Sequence, residues 1–214
     1  PGVFIYVLVS ISVALIYLPA LKYGFINYDD SGYVLYNPDL TAFGCDFLKW
    51  AFTTTKGSSY WHPLTWISYS MDYTVWGVDP MGYRLTNVLI HVINTLLVMA
   101  IFSRILFLAA PGSSGAARLF AVSFAGIFFG LHPLRVESVV WISERKDVLF
   151  ALFYLLSIFF YLKYVKCEDI IKKRTLYALA LLSFLMSVMS KPMAISLPLV
   201  LMVLDYFPFK RGFN

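Results

Sequence analysis

The sequence predicts an all-α, polytopic membrane protein, and three observations support this prediction. Hydrophobic residues make up 60% of the chain and charged residues only 14%, whereas roughly a quarter of the residues of a soluble domain are charged. Residues 2–21 form an uncharged apolar run, long enough to cross a hydrocarbon core of about 30 Å as a helix. Further apolar runs follow, and lipid admits such segments as helices because each helix satisfies its own backbone.

The spans can be placed in order along the chain. The first run lacks the basic start and the cleavage site of a signal peptide, so we predict a retained span. Five more spans are predicted at 83–108, 116–131, 148–165, 176–190 and 192–207. Because Pro192 disfavours helix at Lys191, the last two should form a hairpin; a single helix kinked at the proline is the alternative. About six spans are therefore expected.

The first connection, residues 22–82, is too long for a simple connector and is rich in Trp, Tyr, Asp and Pro. We predict that it forms a small folded cap on the membrane. An amphipathic turn is expected at 46–52, and Pro63 suits the first position of a helix that runs to about Trp76.

Basic residues predict the orientation. They concentrate beside the short loops of one side, including Lys172, Lys173 and Arg174, and the positive-inside rule places that side in the cytoplasm. The first connection then faces the periplasm of a bacterial inner membrane or the lumen of the endoplasmic reticulum. The net charge of +5 suits anionic lipid rather than nucleic acid, so no nucleic-acid partner is expected.

Polar residues stand out within and beside the spans. Asn87, His91 and Asn94 share one face of the second span, where hydrogen bonds between helices or a wet cavity would explain them. Residues 132–147 hold three acids and three bases. If that segment is one helix, Glu137, Trp141 and Glu144 share a face; a solvated, ion-paired helix is the alternative. Lys191 either snorkels to the interface or binds an anion.

Several motifs carry a resemblance to a known family. They are NYDD at 27–30, WHPLTW at 61–66, YRLTN at 83–87, the stretch 130–149 and SKPM at 190–193. In order and spacing they resemble the N-terminal membrane half of the transmembrane and tetratricopeptide-repeat proteins. Those proteins are GT-C type glycosyltransferases related to the protein O-mannosyltransferases.

The resemblance implies a GT-C-like fold and an enzyme. Such an enzyme moves a sugar, mannose in this family, from a polyprenyl (dolichyl-type) phosphate to protein Ser/Thr hydroxyls on the non-cytoplasmic face. Its partners would be the lipid-linked donor, a protein acceptor and membrane lipid. It also implies a C-terminal array of helical repeats beyond residue 214, so residues 1–214 are expected to be the N-terminal transmembrane domain of a longer protein.

The resemblance also implies roles for individual residues. Acidic residues of the first outer loop act as base or metal ligand in GT-C enzymes, and by position this role falls to Asp29 and Asp30, of which we favour Asp30. Nothing requires a metal, although this pair could hold Mg²⁺ or Mn²⁺. A second acidic element would come from Glu137, Glu144 or Asp147. The chemistry of glycosyl transfer, apart from the resemblance, calls for cations on the leaving phosphate and apolar planes for the sugar. We expect the donor phosphate to be bound by Arg84, Arg145, Lys146 and Lys191, and the sugar or acceptor by Trp61, His62, Trp66 and Trp141.

A membrane protein without enzymatic activity is the alternative, either a scaffold or a transporter. A transporter should place polar groups at mid-membrane in broken helices, whereas charge in this sequence concentrates at one surface. A scaffold would tolerate the loss of both Asp29 and Asp30.

Overall fold

A computed structural model describes residues 2–55 and 61–210. Most of these residues are helical, the others form turns and short connections, and no strand occurs among them, which confirms the predicted all-α class. In order, the α-helices are α1 (Gly2–Tyr17), α2 (Cys45–Thr53), α3 (Pro63–Trp76), α4 (Pro80–Ala109), α5 (Gly115–Leu131), α6 (Val136–Val140), α7 (Arg145–Val165), α8 (Ile170–Ser190) and α9 (Leu197–Tyr206).

Three helical stretches of the described chain are long and apolar enough to cross a membrane: Gly2–Lys22, Pro80–Ala109 and Ile142–Val165. A fourth span results if Gly115–Leu131 and Pro133–Val140, which meet at a bend of 49°, count as one. Pro192–Tyr206 is apolar but shorter. That residues 176–190 and 192–207 each cross the membrane remains a prediction.

Helix α4 is central, because α1, α3, α5, α6 and α7 all contact it. Close approach of α5 depends on two glycines one helical turn apart. A Cβ at Gly126 would lie 2.6 Å from Met99 Cγ, and a Cβ at Gly130 would lie 2.5 Å from Val13 Cγ2. Small residues at this spacing let membrane helices pack backbone to backbone, so α1, α4 and α5 form one tight unit.

The chain between α1 and α4 packs around a separate aromatic cluster. Helix α3 begins at Pro63 and ends at Trp76, as predicted from the proline and the following pattern. A π-helical turn, Ser31–Leu35, follows Asp30. The buried members of the cluster are Tyr33, Val34, Leu40, Phe47, Ala51, Trp66, Tyr69, Tyr83 and Ile142.

Residues 132–144, which join α5 to α7 and which we call the second connection because they follow 22–82 on the same side, are not one helix. The face shared by Glu137, Trp141 and Glu144 therefore does not form. Helix α6 ends at Val140, and Trp141 is extended with φ −77° and ψ 121°. The reason is tertiary: Arg84 Nε donates to the Val140 carbonyl at 3.0 Å and Asn87 Nδ2 to the Trp141 carbonyl at 3.2 Å. These bonds turn the chain before α7 begins.

The last two helices form the predicted hairpin. The alternative, a single helix kinked at Pro192, is wrong. Helix α8 ends at Ser190, a 3₁₀ turn runs from Pro192 to Ser196, and α9 follows. Tyr177 near the start of α8 and Asp205 near the end of α9 line the same cavity, so the two helices run antiparallel.

Candidate active site

Asp30 is fully buried, with 0% of its surface exposed. Its Oδ2 accepts the main-chain N–H of Ile26 at 2.9 Å. Its Oδ1 accepts both the N–H of Ser143 at 3.0 Å and the Ser143 hydroxyl at 2.5 Å. Three donors fix this carboxylate, and it joins the first connection to the second.

Asp29 differs from its neighbour in both exposure and bonding. Its side chain is partly exposed, and no hydrogen bond or ion pair to it occurs among the described residues. The preceding ring, Tyr28, lies 5.9 Å from the Trp141 ring. Trp141 Nε1 is buried and has no hydrogen-bond partner in the described part of the chain. Asp29 is therefore the carboxylate of the pair that is free to meet a ligand.

Arg84 is buried and holds the same two connections together. Its guanidinium donates through Nη1 to the Tyr23 carbonyl, through Nη2 to the Gly24 carbonyl at 2.6 Å and through Nε to Val140. A guanidinium offers five N–H donors, and protein carbonyls use a donor on each of its three nitrogens.

Arg145 begins α7 and is likewise fully buried. Its Nη2 lies 2.6 Å from Asp72 Oδ2 in an ion pair and 2.7 Å from the Tyr83 carbonyl. Its Nε donates to Asn87 Oδ1. Such a buried pair is stable only because hydrogen bonds satisfy the rest of both groups. Arg145 thus connects α3, α4 and α7.

The polar face of α4 makes hydrogen bonds between helices, which was one of the two interpretations open for it. Asn87 bonds to Trp141 and Arg145, His91 Nε2 donates to the Gly130 carbonyl at 3.0 Å, and Asn94 Nδ2 donates to the Val148 carbonyl at 2.9 Å. Asn94 Oδ1, in contrast, is buried without a partner among the described residues.

Two ion pairs at the start of α7 form what we call the charged cluster: Glu144, Lys146, Asp147 and Lys191. Lys146 Nζ lies 2.7 Å from Glu144 Oε1 and also donates to the Ser143 carbonyl at 3.0 Å. Lys191 pairs with Asp147, whose other oxygen accepts the Ser138 hydroxyl at 3.2 Å. The side chains of Lys191 and Asp147 remain 24% and 28% exposed, so a ligand can reach them.

A cavity of about 190 Å³ adjoins this cluster; we call it the polar cavity. Asp147 and Lys191 line it together with His91 and Asn94 of the polar face of α4. The unpartnered Asn94 Oδ1 belongs to one of these lining residues, and Lys191 contributes a cation to the lining. The remaining lining residues are Phe129, Arg135, Ser138, Val139, Val148, Phe150, Ala151 and Met193.

The four ring residues expected at the sugar separate into two groups. Trp66 is a buried member of the aromatic cluster, and His62 is buried and stacks on Tyr33 of that cluster with centroids 5.9 Å apart. Trp61 is 40% exposed and donates from Nε1 to the Phe52 carbonyl at 2.9 Å. Trp141 is partly exposed and its ring lies beside that of Tyr28.

Tyr69 of α3 is hydrogen-bonded to the second connection. Its hydroxyl donates to the Ile142 carbonyl at 2.8 Å. Burial raises the pKa of this phenol well above its usual value, so the hydroxyl keeps the proton that the bond needs.

Among the acids predicted for the second element, Glu144 and Asp147 lie in the charged cluster, whereas Glu137 is exposed. Within the described residues no group of three or more His, Cys, Asp or Glu side chains is placed to hold a metal ion.

Three partners at the site were not predicted from the sequence: Ser143, Asp72 and Ser138. Asp72 lies in a predicted helix, where a lone acid among aromatic residues could have signalled a buried partner. The two serines gave no signal, because a serine is common on any surface and its contact with an aspartate depends on the tertiary fold.

Comparison with curated proteins finds protein O-mannosyl-transferases among the relatives of this chain. The chain is 30% identical over 162 residues to the protein O-mannosyl-transferase Tmtc2 of Drosophila melanogaster, 33% over 165 residues to TMTC2 of Homo sapiens and 30% over 164 residues to TMTC4 of Homo sapiens. These matches cover 71 to 73% of the chain. The resemblance predicted from the motifs is confirmed.

The chain spans only 16 to 22% of the length of these relatives. No family model matches it, and no solved structure matches it significantly.

Proposed function

We propose, since this chain is homologous to the TMTC-type protein O-mannosyl-transferases, that it is the membrane part of a glycosyltransferase acting through the charged cluster and Asp29. The enzyme would move mannose from a polyprenyl phosphate to Ser/Thr hydroxyls of proteins on the non-cytoplasmic face. The observation that carries this proposal is the bond from Ser143 to Asp30, which fixes the acidic pair against the start of α7.

The reaction needs three elements of chemistry. A base takes the proton of the acceptor hydroxyl as its oxygen attacks the anomeric carbon of the sugar. The bond between that carbon and the phosphate oxygen breaks, and the electron pair leaves with the polyprenyl phosphate. Cations that stabilise the growing charge on this phosphate lower the barrier.

Asp29 suits the role of the base better than Asp30, which we favoured from the sequence. A general base must reach the proton that it abstracts. Asp30 has no exposed surface and already accepts three hydrogen bonds, so we assign it to positioning. Asp29 is partly exposed and directly follows Tyr28, whose ring lies 5.9 Å from the Trp141 ring.

Lys191 and Lys146 are well suited to bind the donor phosphate. Both ammonium groups pair with carboxylates at the start of α7, and an ammonium has three donors, so each can bind a phosphate oxygen and keep its partner. Arg84 and Arg145 are buried, and protein groups already hold their guanidinium nitrogens. We therefore assign the arginines to the framework of the site.

Trp141 is well suited to contact the sugar. Its ring adjoins the residue before Asp29, and its buried N–H has no partner among the described residues. An indole combines an apolar plane with one donor, which matches a sugar that has an apolar face and hydroxyl groups. Trp61 and Phe52 form a separate exposed ring pair.

The proposal is tested in cells that lack the full-length protein and are complemented with wild type, Asp29→Asn or Asp39→Asn. Asp39 is a matched control because it is an exposed acid of the same connection. Hexose on Ser/Thr peptides of secreted and membrane proteins is measured by mass spectrometry, with immunoblots for expression. Wild type and Asp39→Asn should restore the hexose, whereas Asp29→Asn should reduce transfer by about 10²- to 10⁴-fold.

The other outcomes distinguish the parts of the proposal. If cells with and without the protein show the same hexose on Ser/Thr, the transfer activity is wrong and a scaffold is favoured. If hexose depends on the protein but Asp29→Asn restores it fully, the reaction stands and Asp29 is not its base.

A further inference from the structure

A second cavity lies at the opposite end of the helix bundle from Asp30 and Lys191. Its volume is about 580 Å³, within the range of about 300–1,000 Å³ typical of ligand sites. Three cations line it: Arg104 near the end of α4, Arg118 near the start of α5 and Lys166 after α7. We call it the cationic cavity.

The cations of this cavity have no anionic partner in the described structure. No acidic residue is among its lining residues, and none of the ion pairs found in residues 2–55 and 61–210 includes Arg104, Arg118 or Lys166. The Nε atoms of Arg104 and Arg118 are buried and lack hydrogen-bond partners in the same residues. A buried guanidinium N–H without an acceptor is costly, and an anion in the cavity would supply acceptors for these two Nε donors.

The rest of the lining favours a lipid as the source of that anion. Apolar walls come from Ala100, Phe107, Leu108 and Phe159, and Tyr6 and Ser103 add hydroxyl groups. Phe107 is 60% exposed on the outer surface of a helix that can cross the membrane. A charged end beside apolar walls that face lipid matches a molecule with a phosphate and acyl chains.

The charge distribution points to the same ligand. This end of the bundle is the one that the positive-inside rule assigns to the cytoplasm, because Lys172, Lys173 and Arg174 lie in the adjacent first turns of α8. Anionic phospholipids concentrate in the cytoplasmic leaflet. The geometry points to the cationic cavity as a binding site for the phosphate headgroup of an anionic phospholipid, and this inference does not depend on the proposed transfer reaction.

The test is native mass spectrometry of the full-length protein, purified in detergent, with added phosphatidylglycerol or phosphatidylcholine. The double variant Arg104→Gln/Arg118→Gln is compared with Lys172→Gln/Arg174→Gln, which removes the same charge from exposed residues that do not line the cavity. Phosphatidylglycerol should bind in preference to phosphatidylcholine. Its binding should weaken by roughly 10- to 30-fold in the first variant and little in the second.

Three results would overturn the inference: no preference for the anionic lipid, equal weakening in both double variants, or equally tight binding of glycerol 3-phosphate, which has the headgroup charge without acyl chains. If the double variant does not fold, Arg118→Gln alone serves, because Arg118 is partly exposed. Unchanged phosphatidylglycerol binding in that variant would also contradict the assignment.

Discussion

Ser143 donates its main-chain N–H and its hydroxyl to Asp30 Oδ1, at 3.0 and 2.5 Å, across 113 positions of sequence. The bonds join the connection after α1 to the connection before α7. Asp29 is thereby held on the side of the bundle where Lys146 and Lys191 lie. Asp30 is used up by these bonds, and we propose that its neighbour acts in the reaction.

This division of roles predicts opposite effects for the two aspartates. Asp30→Ala should lower the free energy of unfolding by about 2–4 kcal/mol, because it leaves the donors of Ile26 and Ser143 buried without an acceptor. Asp29→Ala should change the free energy of unfolding by no more than about 0.5 kcal/mol, as expected of a side chain without partners among the described residues. Thermal melting of the full-length protein in detergent measures both. A larger loss for Asp29→Ala would reverse our assignment.

The ion pair of Arg145 with Asp72 should be the most sensitive of the ion pairs in the described chain. Arg145→Met should lower the free energy of unfolding by about 3–5 kcal/mol, because the buried Asp72 loses its cation. In the double variant with Asp72→Leu, the loss should be smaller than the sum of the single losses. Lys172→Met is the control, since its partner Asp169 lies 3.8 Å away at the surface, and it should melt like wild type.

Lys191→Gln should raise the KM for the lipid-linked donor by about 10- to 100-fold, because a hydrogen bond to a charged group is lost. Lys191→Arg should retain part of the affinity. Initial rates at varied donor and fixed acceptor concentration measure the effect in proteoliposomes. An increase confined to the KM for the acceptor would place Lys191 at the acceptor instead.

Gly130→Val should destabilise the bundle by about 1–3 kcal/mol, because its Cβ would overlap Val13 Cγ2 and approach Thr95 Oγ1 to 3.0 Å. The shift would also move the carbonyl that His91 and Tyr17 bond to. Gly112→Ala is the control, with nothing within 4 Å of its Cβ. Equal melting temperatures for the two variants would mean that α1, α4 and α5 do not pack so closely.

Local signals predicted most of the helices because they depend on neighbouring residues. The uncharged run of α1, the proline that opens α3 and the break at Lys191 all appeared where the sequence placed them. The failure at residues 137–144 has a physical reason. Arg84 and Asn87 of α4 bind the carbonyls of Val140 and Trp141, and no pattern within the segment records those distant donors.

The sequence by itself determined the all-α class and the family resemblance, since apolar runs, breakers and motif order are local properties. Only the tertiary structure decided which charges are available to a ligand. Arg84, Arg145 and Asp30 look as accessible in the sequence as Lys191 and Asp29 do. Burial and three-dimensional partners separate them, because a charge removed from water must be paired within the protein.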